Sequence, residues 1–160
     1  MQRSIVISIL ALSFLFIPNP ASAQQTAATP APRPKELFTA KKIFISNASG
    51  ENNPLYFDTP DQPYNQFYNA MRTWGKYELV TSPGDADLIY EIHFIESRPN
   101  TLPQLELTIL DPESRITLWT LRETIATAAR QVTGRKNFEK AMSTLVSDVQ
   151  KLVSGDSSKK

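Results

Sequence analysis

The segment Asp87–Glu96, DLIYEIHFIE, decides the fold class. Successive residues fall on opposite sides of an extended chain, with Leu88, Tyr90, Ile92 and Phe94 on one side and Ile89, Glu91, His93 and Ile95 on the other. One side is wholly apolar and the other is mixed, which is typical of a half-buried strand in an antiparallel sheet. We therefore expect other elements to cover the apolar side.

The flanking sequence predicts four further strands, at residues 41–46, 77–81, 104–110 and 116–126. These segments are rich in β-branched, aromatic and other apolar side chains. Residues that favour turns, mainly Pro, Gly, Asn and Asp, separate several of them. In the segment 104–110, the alternation places Leu105, Leu107 and Ile109 on the inward side.

Two segments have the apolar spacing of amphipathic helices. The first lies between Asp61, a candidate N-terminal cap, and Gly75, a candidate C-terminal cap. The second follows a candidate cap at Asn137 and continues to Val153. The order is β-α-β-β-β-β-α. We predict an α+β fold, with a mainly antiparallel sheet and two amphipathic helices packed on one face.

The N-terminal residues 1–23 have the layout of a signal peptide. Arg3 gives a positive start, Ile5–Ile17 is apolar, and Ala21-Ser22-Ala23 provides small residues for cleavage. We predict cleavage after Ala23, a periplasmic or secreted protein, and no transmembrane span after cleavage. Residues 24–40, rich in Pro, Ala and Thr, are predicted to be a disordered linker, 41–153 a single domain, and 154–160 a flexible tail.

Composition argues against several classes of function. The chain has 17 Lys and Arg against 16 Asp and Glu, whereas nucleic-acid binders normally carry a basic excess. It has no cysteine, which excludes disulfides, thiolate metal sites and cysteine nucleophiles. No fingerprint for a dinucleotide or a phosphate loop occurs. We expect no metal and no cofactor.

The loop at residues 47–60 and the helix after it supply candidate partner-binding residues, namely Tyr56, Phe57, Asp58 and Tyr64. Loops often carry binding function, and exposed aromatic side chains often anchor contacts. A second interpretation, which we favour for Tyr56 and Phe57, is that these rings pack against the edge of the core.

His93 is the only histidine, so serine–histidine chemistry would have to use it. A small hydrolase would need Glu91 or Glu106 beside this ring as a partner. The alternative, which we favour, is a solvent-facing side chain on the mixed side of the strand.

Three segments carry a resemblance to known proteins: Trp74–Val80 (WGKYELV), Gly84–Ile92 (GDADLIYEI) and Asp111–Trp119 (DPESRITLW). Together they resemble small bacterial envelope domains. Examples are the amino-terminal domain of the Tol–Pal propeller protein and the periplasmic domains of curli-export lipoproteins. The resemblance implies an α/β sandwich that makes protein contacts in the envelope, without catalysis. This chain lacks the lipid-bearing cysteine of the curli-export type and lacks any propeller.

We therefore predict an exported, periplasmic, non-enzymatic domain that binds a protein or another envelope component. The long loop or an exposed sheet edge would provide the contact surface. An alternative is a small-molecule or lipid carrier with a pocket between the helices and the sheet. A small hydrolase that uses His93 is a third hypothesis.

Overall fold

The computed structural model describes residues 32–49, 52–97, 99 and 101–155. Its elements in chain order are α1 (Glu36–Thr39), β1 (Lys42–Asn47), α2 (Gln62–Trp74), β2 (Glu78–Leu79), β3 (Leu88–Ile95), β4 (Gln104–Leu110), β5 (Thr117–Thr124) and α3 (Gln131–Ser154). A short 3₁₀ turn, Pro83–Asp85, precedes β3. The predicted signal peptide lies outside the described residues. In the part of the chain that is described, no helix has the length and apolar character of a membrane span.

The sheet has five strands in the order β2-β1-β3-β4-β5. Strand β1 runs parallel to β2 and to β3, whereas β3, β4 and β5 are successively antiparallel. The fold is α+β as predicted, but the sheet is mixed, so the expectation of a mainly antiparallel sheet is corrected. Antiparallel pairing still joins the larger share of residues. The reason for the mixture is α2, which returns the chain so that β2 runs in the direction of β1.

The pairing register collects the apolar residues of the strands on one face. Tyr90 of β3 lies opposite Ile45 of β1 and Ile109 of β4. Helix α2 packs on β1 and β3, α3 packs on β4 and β5, and the two helices contact each other. Phe67 of α2 and Leu145 of α3 join the same buried cluster. We call this side of the sheet the helix-facing side.

Helix α2 ends as the sequence predicts. Gly75 has φ 68°, and its N–H donates to the carbonyl of Met71 at 3.2 Å. The left-handed conformation favours glycine, because a side chain there would be strained. Asp61 precedes the helix but makes no side-chain cap; its carboxylate accepts a hydrogen bond of 2.7 Å from the side-chain nitrogen of Asn47.

Helix α3 begins at Gln131, earlier than the predicted cap at Asn137. Asn137 lies within the helix, and its amide donates to the carbonyl of Ala126 at 3.0 Å. The early turns of α3 contain Gly134, which is buried where the helix crosses the 53–58 loop. A Cβ atom at this glycine would lie 2.1 Å from the carbonyl oxygen of Leu55. Only glycine therefore permits this close approach of backbone to backbone.

The folded structure also begins N-terminal to Lys41. Within the segment for which the sequence favours an extended linker, Glu36–Thr39 forms a short helix and Leu37 is fully buried in the core. The Arg33 guanidinium donates to the carbonyl of Leu152 at 2.8 Å and so caps the C-terminal end of α3. The predicted linker is therefore too long at its C-terminal end.

The contact at Gly134 generates a stability prediction. In an ordinary helix interior, alanine in place of glycine stabilises by about 1 kcal/mol. We expect Gly134→Ala to have the opposite effect and to destabilise by about 1–3 kcal/mol, because the new methyl group overlaps the backbone of Leu55. Denaturant unfolding measures the change.

The control is Gly84→Ala, where the added methyl group lies at an ordinary 3.7 Å from the hydroxyl of Ser82. Its stability should stay close to that of wild type. A stabilised Gly134→Ala protein would show that α3 does not touch the loop.

Candidate functional site

The helices of the described residues leave open the face of the sheet opposite the helix-facing side. We call it the outer face. It carries Lys42, Phe44 and Ser46 of β1, Ile89, Glu91, His93 and Ile95 of β3, Gln104, Glu106, Thr108 and Leu110 of β4, and Thr120, Arg122 and Thr124 of β5. All three helices lie on the other side, since Leu37 of α1 also joins the core cluster. The mixed composition is typical of a sheet face that meets water or a polar partner.

Two ion pairs cross the polar part of the outer face. The guanidinium of Arg115 lies 3.1 Å from the carboxylate of Glu91, and that of Arg122 pairs with Glu106. His93 lies opposite Glu106 in the register. No hydrogen bond joins His93 to either glutamate within the described ranges. Both carboxylates that a hydrolase would need are therefore engaged by arginines.

One end of the outer face is apolar. Phe44, Ile89 and Leu110 are direct neighbours across β1, β3 and β4. Ile89 is 1% exposed and Leu110 is 6% exposed, so this apolar end of the outer face is buried. The part of the outer face that a partner could reach consists of polar side chains and paired charges of both signs.

Arg115 reaches Glu91 from a strained turn. It has φ 59°, a conformation that costs a non-glycine residue roughly 1–2 kcal/mol. Its N–H donates to the carbonyl of Asp111 at 3.0 Å. The hydroxyl and N–H of Ser114 donate to the carboxylate of Asp111, and these bonds lower the pKa of that carboxyl. The turn is held in shape by Asp111 and directs Arg115 onto the outer face.

Two of the candidate partner-binding residues, Tyr56 and Phe57, pack in the core. Tyr56 is 5% exposed and Phe57 is fully buried, so the interpretation of these two rings as exposed anchors is wrong. Phe57 packs between Phe94 and Phe138, with ring centroids 4.8 and 5.4 Å away. The packing interpretation describes both residues.

Asp58 and Tyr64 keep exposed atoms but do not form a site with those rings. Asp58 is ion-paired with Arg135 of α3, and Tyr64 lies beside Tyr68 with ring centroids 5.8 Å apart. The Asp58–Arg135 pair joins the loop to the start of α3. A partner-binding role for Asp58 and Tyr64 stays a prediction.

The other open surface is the edge strand β5. Among the described residues, no backbone hydrogen bond joins β5 to any element except β4. Trp119 and Leu121 face the helices but are only half-buried, whereas Ile109 and Leu107 opposite them are fully buried. The core is therefore incompletely covered along this edge. Sequence alternation places Trp119 and Leu121 on the same face of the strand but carries no signal that β5 is the edge.

Between β5 and α3 lies a cavity of about 200 Å³, lined by Glu123, Thr124, Ala126, Asn137, Lys140, Ala141 and Thr144. Burial raises the pKa of Glu123, and a hydrogen bond and charge repulsion from Asp148 raise it further, while the charge of Lys151 opposes them. The cavity is smaller and more polar than the pockets that carriers usually have. It gives no specific support to the carrier hypothesis.

A wider polar cleft of about 550 Å³ lies beside α1 and the 111–113 turn. Asp87, which lines this cleft, accepts hydrogen bonds from the backbone N–H groups of Lys41 and Lys42 at 2.8 and 2.9 Å. These hydrogen bonds lower the pKa of the Asp87 carboxyl. Asp87 therefore fixes the start of β1. No group of three potential metal ligands lies together within the described residues.

No protein-family model matches the sequence, and no curated protein matches it. Several solved structures are similar at low identity. The PelC dodecamer from Paraburkholderia phytofirmans is 17% identical with a TM-score of 0.44, and the match covers 78% of this chain and 94% of that one. A DUF330 protein from Xanthomonas campestris is 14% identical with a TM-score of 0.45, covering 72% and 85%.

Uncharacterized lipoprotein B from Nitrosomonas europaea is 12% identical with a TM-score of 0.37, covering 71% of this chain and 80% of that one. All three neighbours are bacterial proteins, and one of them is a lipoprotein. None of these three is a Tol–Pal or curli-export protein, so that finer resemblance stays a prediction. Similarity at this level assigns neither a family nor an activity to the chain.

The raised pKa of Glu123 generates a pH prediction. The pKa of Glu123 is raised in the folded state, whereas in the unfolded state it is near the ordinary 4.5. The folded state therefore binds the Glu123 proton more tightly than the unfolded state does. This contribution to stability is complete below the unfolded pKa and is lost as the pH rises through the folded pKa. We expect Glu123→Gln to melt at a higher temperature than wild type at pH 7, with a difference that shrinks towards pH 4.

Melting curves at several pH values measure this difference. Glu139→Gln, at an exposed position of α3, provides the control and should show no such trend. A Glu123→Gln protein that is less stable than wild type at pH 7 would contradict the burial of this carboxylate beside Asp148.

Proposed function

We propose that the protein is an exported, non-enzymatic domain that binds another protein in the bacterial envelope through its outer face. The observation that carries this proposal is the one-sided packing: the helices cover a single face of the sheet and leave the other open. The polar part of this face, which no helix of the described structure covers, is available to a partner.

The charges of the outer face favour a protein as the partner. Its acidic residues, Glu91 and Glu106, are each paired with an arginine, Arg115 and Arg122. Anionic lipid or nucleic acid would call for a strong basic excess, whereas this face adds a single further basic residue, Lys42, within the described structure. Charges of both signs are what protein interfaces use to orient the partner.

The absence of catalysis is part of the proposal and has its own support. Glu91 and Glu106 each bind an arginine, so neither orients His93 as a catalytic base.

The test of binding is capture from an envelope extract with the mature wild-type protein and two variants. Thr108→Lys places a long charged side chain at the centre of the outer face, and Thr133→Lys places the same side chain on the exposed side of α3. We expect wild type and Thr133→Lys to retain the same partner and Thr108→Lys to lose at least most of it.

Retention by Thr108→Lys at the wild-type level would contradict the role of the outer face. The absence of any partner that distinguishes the two variants would contradict the binding function. Circular dichroism melts of all three proteins show that the variants are folded.

The hydrolase alternative has a separate test. We expect no activity in a broad screen of ester, amide and glycoside substrates, and no difference between wild type and His93→Ala. An activity that wild type has and His93→Ala lacks would overturn the non-enzymatic assignment.

A further inference from the structure

We propose that two copies of the chain associate through their β5 strands, which pair antiparallel about a two-fold axis at Thr120 and join the two sheets into one. This inference concerns the sheet edge and is independent of the outer-face proposal. The first observation is the difference between the edges: β2 has two residues, whereas β5 has eight residues with one side of its backbone unpaired within the described structure. A long edge is a template for a further strand.

The second observation is the incomplete cover of the helix-facing side of β5. Trp119 and Leu121 are half-buried, while their neighbours on β4 are fully buried. Val146 on α3 is also only partly buried against the core. A second copy that extends the sheet would bring its own Trp119 and Leu121 against these residues and would remove the remaining apolar surface from water.

The charges on β5 limit the possible registers. In a two-fold antiparallel pair, the residue on the axis faces its own copy, and opposite residues share a face of the sheet. An axis at Arg122 would place two guanidinium groups together, and an axis at Glu123 would place two carboxylates together. Like charges directly opposite each other are destabilising, which excludes both registers.

An axis at Leu121 would place the Glu123 carboxylate against the ring of Trp119. An axis at Thr120 avoids every such conflict. It pairs Leu121 with Trp119 twice on the helix-facing side and Thr120 with Thr120 on the outer face. Aromatic–aliphatic pairs and threonine pairs are favourable across strands. Arg122 and Glu123 then lie towards the 117–118 end of the partner strand, which has a register irregularity and carries no charged side chain.

Glu123 therefore serves to restrict pairing. An inward-facing charge on an edge strand discourages indiscriminate association. In this chain it permits the two-fold pair at Thr120 and opposes the registers that bring it against a second carboxylate or an aromatic ring. A strand of another protein would also meet this charge, whereas a second copy meets it with the uncharged end of its own β5.

The test uses the absence of native cysteine, so that an introduced thiol is the only one in the chain. Thr120→Cys places it at the axis, where opposite Cα atoms of paired strands lie about 4.5–5.5 Å apart, within the range that a disulfide requires. Thr124→Cys makes the same change on the same face of β5. Its two copies would lie about 26 Å apart along the strands.

Under mild oxidation we expect Thr120→Cys to form a disulfide-linked dimer and Thr124→Cys to remain largely monomeric on a non-reducing gel. Equal cross-linking of the two variants, or faster cross-linking of Thr124→Cys, would overturn the proposed register.

Light scattering on a sizing column provides the second readout, with the unmodified mature protein. We expect wild type to have twice the monomer mass. Thr120→Arg should raise the dimer dissociation constant about tenfold or more, because like charges meet at the axis, while Thr124→Arg should leave it near the wild-type value. A monomer mass for wild type at millimolar concentration would overturn the proposal. The β5 edge would then be a candidate site for a strand of another protein.

Discussion

Tyr90 and Ile92 on β3 and Leu107 on β4 lie beneath two helices and have no exposed surface. Each buried side chain of this size contributes roughly 1.5–3 kcal/mol relative to an exposed one, so the helix-facing side supplies most of the driving force for folding. Every other feature follows from this one-sided burial. The outer face is left open, the edge at β5 is left half-covered, and the loops must close the ends of the core.

The loop before α2 meets that last need with two aromatic rings, which are therefore not available for binding. Tyr56 and Phe57 fill the space between β3 and α3, and Gly134 allows the helix to approach the loop backbone. The ion pair between Asp58 and Arg135 and a hydrogen bond from Gln131 to the carbonyl of Pro54 hold the same contact. Two aromatic residues that are candidates for recognition in the sequence thus complete the core.

Local sequence patterns predict the regular elements well. The alternation in β3 and β4 and the apolar spacing from Tyr64 to Trp74 specify a strand pair and a helix without tertiary information, because one side of each element is buried. The left-handed turn at Gly75 is also a local property. In these segments, local propensity and tertiary packing favour the same structure.

The features that depend on distant contacts are the ones the sequence does not reveal. The parallel pairing of β1 with β3 joins residues more than forty positions apart, and no local pattern encodes it. Leu37 appears isolated in a polar, proline-rich segment, and its burial depends on α3. Glycine normally disfavours a helix interior, so the sequence pattern places the start of α3 after Gly134, which is too late. Only the close approach of the Leu55 backbone explains why glycine is needed at this position of the helix. The open edge at β5 likewise follows only from the strand order.

The most direct measurement of one-sided burial compares two isoleucines on the same strand. Ile92 faces the helices and is fully buried, whereas Ile95 lies on the outer face and is half-buried. Denaturant unfolding should show a loss of about 2–5 kcal/mol for Ile92→Ala and about 1 kcal/mol or less for Ile95→Ala. Equal losses, or a larger loss at Ile95, would contradict the account, because the outer face would then be packed as tightly as the side beneath the helices.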